Sequence, residues 1–221
     1  MDAMDAYKTS PPPSSAEIVR ESNHRIANHL SMIAGMVQMQ SSALAKGPDT
    51  LSRSSVRAML QETAGKIVSV CHLHRKLASA PEIDEIDLSS YVVESSEALL
   101  SSLALYGRAG IAYQLGDRCA VSPETAQTMS LIASEIIMNA VKHAHPTGVP
   151  VVINLNCSHD AEGRMFLDIQ DDGVGLPEFF DEKKHSGVGL RLIRSLADQI
   201  GARIDIHSDS LGLCFRITLA S

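Results

Sequence analysis

Apolar residues return every three or four positions from Val19 through Ile26, Leu30 and Ile33 to Val37, which is the spacing of one helix face. The pattern predicts a helix over residues 16–45. Gly47, Pro48 and Asp49 then interrupt it, inside a turn-forming stretch at 46–50. A second stripe, with Val56, Leu60, Ile67, Val70 and Leu77, predicts a helix over about 51–79. Two long helices joined by a tight turn make a hairpin, and the apolar stripe of each needs a cover. The economical cover is a second copy of the chain, giving a homodimeric four-helix bundle.

Beyond residue 80 the pattern changes. A proline-containing acidic linker at 81–86 leads into a helix expected from Asp87 to about Tyr106. A strand candidate follows at 110–115, then a long helix from Pro123 to about His145. Three segments then alternate with period two: Val151, Ile153, Leu155 and Cys157; Met165, Leu167 and Ile169; Leu213, Phe215, Ile217 and Leu219. Such alternation belongs to a sheet with one covered face. A helix near 188–200 and a short strand near 203–207 lie between the last two. The expected fold is α+β: a helical hairpin over 16–80, then over 87–221 an α/β sandwich with helices on one face of a mixed sheet.

Composition narrows the function classes. The chain has 221 residues, 44 % of them hydrophobic and only 4 % aromatic, with no tryptophan, so its core must be aliphatic. The net charge of −7 disfavours nucleic acid as a partner. Residues 1–15 are acidic and then rich in proline and serine, which predicts a disordered leader and not a signal peptide. No apolar run is long enough to span a membrane, and the expected location is the cytoplasm. The four cysteines form no C-x-x-C pair and sit in apolar surroundings, so they are expected to be reduced and structural.

Three polar motifs interrupt the apolar pattern of the second region. Glu135, Asn139, Lys142 and His143 share one face of an otherwise apolar helix. A polar stripe on a buried helix more often lines a site than meets solvent. The Asn139 carbonyl oxygen suits Mg²⁺, and Lys142 and His143 suit phosphate oxygens. Glu135 can polarise a proton. A strand then ends in Asp171, followed by Gly173 and Gly175, where a carboxylate can accept from the exocyclic amine of adenine. Gly187 and Gly189 open the next helix, whose N-terminus can hold phosphate. The spacing is not that of a dinucleotide-binding fingerprint.

Together and in this order, the motifs resemble the N, G1 and G2 boxes of the GHKL-type ATP-binding fold. The resemblance implies that Asn139 holds Mg²⁺, Glu135 acts as base and Asp171 contacts adenine. It also implies that the segment from Gly175 to Gly187 is a short lid over ATP.

The upstream helix fits that reading. On a wheel of ~100° per residue, His24 lies opposite the apolar arc of Ile26, Leu30, Ile33 and Val37. Glu21 and Asn28 lie one turn to either side of His24. His29 lies at the edge of the arc and has no assigned role. An exposed imidazole beside a carboxylate and an amide can serve as a nucleophile near pH 7. The stretch resembles the phosphoacceptor box of sensor histidine kinases, in the subtype whose box runs His-Arg-x-x-Asn-x-Leu. His24, Arg25, Asn28, Leu30 and Gln40 match it, over a resemblance that spans 16–221.

Ser134 before Glu135 and the absence of tryptophan separate the chain from the related HWE subtype. Arg25 stands where an acid often follows the phosphoacceptor, which leaves proton acceptance to Glu21 or Glu135. Leu213 follows Gly212 where the family has threonine, a change expected to bear on the phosphate contacts and not on the adenine site.

The resemblance implies that Mg-ATP phosphorylates His24 and that an aspartate on a response-regulator receiver domain takes the group. The signal is expected from a separate sensor protein unless the chain belongs to a longer one. Two other readings use the same residues: a histidine phosphotransfer relay with an inactive ATP domain, and a GHKL-type serine kinase or ATPase.

Overall fold

A computed structural model describes residues 50–79, 84–116, 118–177 and 188–219, with scattered positions between 27 and 45. The expected leader, Glu21, His24, Arg25, Asn28, Gly187 and the central part of the expected lid lie outside the described residues. The described positions from 27 to 44 are helical. The long helix that follows, α1, spans Arg53–Ser79. Two-residue strand β1 (Ile86–Asp87) then leads into α2 (Leu88–Ser102). Next come β2 (Ala109–Leu115), β3 (Ala120–Val121), α3 (Pro123–His143), β4 (Val151–His159) and β5 (Met165–Asp171). The chain closes with α4 (Val188–Gln199), β6 (Ala202–Asp209) and β7 (Gly212–Leu219).

Five strands form a mixed sheet in the order β2-β4-β5-β7-β6, with β2 parallel to β4 and the other pairs antiparallel. The parallel pair requires a crossover, and α3 supplies it. Register aligns the apolar positions in rows across the sheet. Leu155 pairs with Ile169, Ile169 with Phe215 and Phe215 with Ile206. Together with Ile132 and Ile137 of α3 and Leu99 of α2, these rows build the core. Each such aliphatic side chain contributes about 1.5–3 kcal/mol relative to an exposed one. The opposite face is open, with Gln170, Arg203, His207 and Arg216 exposed.

α3 starts where the Ser122 side chain accepts the Thr125 N–H, with Pro123 in the first turn. It touches α1, α2 and α4. α1 therefore packs on the sheet domain. Val70 enters the common core, and Gly65 lies against Leu99 and Leu103.

Three boundaries and one strand pairing differ from expectation. α2 stops at Ser102, short of Tyr106, because Ala104 takes a positive φ of 52° while the Leu103 and Leu105 N–H groups bond back to Leu99 and Leu100. α3 ends at His143, and β6 runs longer than its apolar core suggested. Ile86 and Asp87 pair with β3 in a small ribbon that no pattern announced. The four cysteines are free thiols, and burial pushes the Cys157 thiol up to about 12, so it stays protonated and unreactive.

Candidate nucleotide-binding cleft

Period two decides where Asp171 points. Met165, Leu167 and Ile169 face the helices, and Asp171 is the next residue on that face. Its carboxylate thus leaves the end of β5 toward α3, in register with Ile153. Oδ1 accepts the Gly173 N–H at 2.9 Å and the Leu213 N–H at 3.2 Å. With that oxygen occupied, the Oδ2 lone pairs are left for a ligand. Asp171 is only 7 % exposed, so an unmatched partner there would be costly.

Asp171 lines a cleft of about 530 Å³, within the range of small-molecule sites. Asn139, Ala140 and His143 of α3 form one wall. Val174, Gly175, Leu176 and Pro177 form the loop side. Ile206, Leu213 and Phe215 supply an apolar floor, and Gly189 closes the end nearest α4. A largely apolar lining around one available carboxylate oxygen fits a purine ring carrying an amine.

The opposite end is polar. Glu135 and Asn139 are one helical turn apart, and Gly189 lies directly over them. A Cβ at 189 would stand 2.5 Å from Oε1 of Glu135 and 3.4 Å from Nδ2 of Asn139. Glu135 is 2 % exposed. Partial burial and the neighbouring Lys142 charge hold His143 below the usual histidine range, so its ring is neutral at pH 7. Lys142 lies on the same helix but does not line the cleft. Among the described residues no cluster of three or more His, Cys, Asp or Glu side chains could hold a metal. Asn139 fits Mg²⁺ in the way that ion is usually held, by a few protein oxygens together with phosphates and water.

The description "Histidine kinase-like ATPase domain" matches residues 105–219, and "Histidine kinase" matches residues 21–103. The chain belongs to the histidine kinase family. Blue-light-activated histidine kinase 2 of Erythrobacter litoralis is 27 % identical over 98 % of this chain and 61 % of its own length. Sensor histidine kinase PdtaS of Mycobacterium tuberculosis is 24 % identical over 88 % of this chain and 36 % of its own length. The chain thus spans about three fifths and about one third of these two relatives. The solved histidine kinase domain of an Erythrobacter litoralis blue-light-activated kinase superposes with a TM-score of 0.66 at 24 % identity. That match covers 91 % of this chain and 90 % of the other, and it shows a shared fold.

In this member of the family, Asn139, His143, Asp171, Gly175 and Gly189 surround one cleft. Glu135 and Gly173 sit just behind its wall, against Gly189 and Ala144 respectively. Gly212 and Leu213 lie beside Asp171, a neighbourhood that the sequence did not announce. The Leu213 N–H bonds to Oδ1 of Asp171, and Gly212 lies against the Asp171 backbone. Gly212 has a φ of +136°, and a Cβ there would run into the Asp171 carbonyl. The apolar floor from Ile206 and Phe215 was also unforeseen as part of the site. The alternation marked Phe215 as inward-facing and left Ile206 inside a short strand, and only the fold brings both to the cleft.

Proposed function

We propose that this chain is the transmitter part of a two-component histidine kinase acting in the cytoplasm. It binds Mg-ATP in the cleft, phosphorylates its own His24, and passes the phosphoryl group to an aspartate on a response-regulator receiver domain. The observation that supports this best is the meeting of three separated segments, Glu135–Asn139, Asp171–Gly175 and Gly189, around a single cleft.

Asp171 orients the base and the apolar floor holds the ring. Asn139, His143 and the α4 N-terminus with Gly187 and Gly189 receive the phosphates, with Lys142 adding charge nearby. When bound, Mg²⁺ lowers the charge repulsion around the phosphates, and Asn139 is placed to hold it. A ring nitrogen of neutral His24 attacks the γ-phosphorus, the bond to the β-phosphate oxygen breaks, and ADP leaves with the electron pair. Glu135 accepts the proton from the second ring nitrogen, while Glu21, Arg25 and Asn28 frame the acceptor.

Incubation with γ-labelled ATP and Mg²⁺, followed by acid and alkali treatment, tests the reading. The expected label is lost in acid and kept in alkali. Acid-stable label would identify a serine kinase instead, and a folded protein that binds no ATP would leave only a phosphotransfer relay.

Gly189→Ala is expected to slow labelling about a hundredfold at saturating ATP, because the added methyl displaces Glu135 by the fraction of an ångström that such chemistry does not tolerate. Single-turnover labelling would measure it. A near-normal rate would remove Glu135 from the reaction.

We extend the proposal to a homodimer. Leu30, Val37 and Leu44 recur at intervals of seven and are 59 %, 44 % and 37 % exposed. On α1, Val56, Leu60 and Ile67 are exposed to a similar degree. Facing stripes in a four-helix bundle would cover both sets. Leu60→Asp is expected to turn a dimer into a monomer by light scattering, and a wild type with the mass of one chain would defeat the proposal.

A further inference from the structure

One corner of the cleft is held by a contact that none of the roles above uses. His145 follows the end of α3, and Asp172 follows Asp171. Nε2 of His145 lies 2.9 Å from Oδ1 of Asp172. The same oxygen accepts the Val152 N–H at 2.9 Å, and the Asp172 N–H donates to the Val152 carbonyl at 3.1 Å. An ionised carboxylate only accepts, so the ring donates its Nε2 proton. A single oxygen thus ties the end of α3 and the start of β4 to the loop after β5.

We propose that His145 and Asp172 form a positioning latch that sets the Asp171 carboxylate for nucleotide recognition, so that breaking the pair weakens nucleotide binding and leaves the saturated reaction rate unchanged. The latch rests on the reading of the cleft as an ATP site. Asp172 is joined directly to Asp171 on one side and to Gly173 on the other. The Gly173 N–H is one of the two donors that hold Oδ1 of Asp171. Rotating the peptide after Asp172 therefore removes that donor and swings the oxygen that faces the base. The loop has little slack beyond it, since the Val174 N–H bonds to the Ala144 carbonyl at 3.0 Å. Neither latch side chain lines the cleft, so the pair acts through the loop without touching nucleotide. The His145 side chain is 19 % exposed and that of Asp172 44 %, which makes the pair a partly solvated hydrogen bond to a charged group.

The test is a titration of the full chain with Mg-ATP and, separately, with ADP. His145→Ala is expected to bind ATP about tenfold more weakly, which is about 1.4 kcal/mol. His145→Gln places an amide nitrogen near the Nε2 position and is expected to recover affinity to within about threefold. His145→Asn is one bond shorter and should bind as weakly as the alanine variant. Because Asp171 faces the base, the loss should be the same for ADP as for ATP. Asp172→Ala should lose at least as much as His145→Ala, and the double variant no more than Asp172→Ala alone.

Wild-type affinity in His145→Ala would overturn the latch, as would a loss that grows with the third phosphate or a failed rescue by glutamine. If the alanine variant does not fold, equal affinities for His145→Gln and His145→Asn would overturn it. A wild type that binds no ATP, or whose affinity is unchanged in Asp171→Asn, would bring down the cleft reading itself.

Discussion

His24→Ala is expected to take up less than about one hundredth of the wild-type label from γ-labelled ATP, because alanine leaves no nucleophile at the acceptor position. The imidazole is the one side chain on that face whose neutral form is both abundant and reactive near pH 7. On the helical wheel Glu21 and Asn28 flank it, and neither can replace it as a nitrogen nucleophile. The substitution leaves every residue of the cleft in place, so ATP affinity should stay at the wild-type value. His29→Ala is the matched control. It lies near the apolar arc and should keep most of the label. Undiminished label in His24→Ala, or loss of label in His29→Ala alone, would move the acceptor elsewhere and with it the meaning of the whole upstream helix.

The local parts of this architecture were legible in the sequence, because they follow from local periodicity. The inward faces of β4, β5 and β7 obey period two, and the polar stripe of Glu135, Asn139 and His143 obeys the helical period. Contacts between distant positions were not legible. The Leu213 N–H reaches Asp171 across 42 residues, and His145 reaches Asp172 across 27. Neither pairing leaves a trace in any window of the chain. The Gly212–Leu213 pair shows the difference well. As a sequence it reads as an altered glycine-threonine motif, and in the fold it buttresses the Asp171 carboxylate. The end of α2 is a smaller case of the same kind. Leu103, Leu105 and Tyr106 continue the apolar tone of the helix, and only the positive φ at Ala104 shows where it stops.

Asp171→Asn is expected to weaken ATP binding about a hundredfold while leaving the fold intact, and the two halves of that expectation have separate causes. The fold survives because an amide oxygen can still accept from Gly173 and Leu213, the two N–H groups that hold Oδ1. That requirement also fixes the orientation of the amide, since turning it over would set an NH₂ group against two donors. The NH₂ group must then take the place of Oδ2 and face the cleft. There it meets the exocyclic amine of adenine donor to donor. The site loses a hydrogen bond to a charged acceptor and buries two unmatched donors, in a position only 7 % exposed. A combined cost of about 3 kcal/mol corresponds to the hundredfold loss. Guanine carries a carbonyl oxygen where adenine carries its amine, so the variant should bind GTP better relative to ATP than the wild type does. Titration with both nucleotides measures the ratio directly. Loss of ATP affinity with a rising GTP-to-ATP preference would assign base recognition to Asp171. Equal weakening for both nucleotides would mean that the carboxylate supports the loop without reading the base.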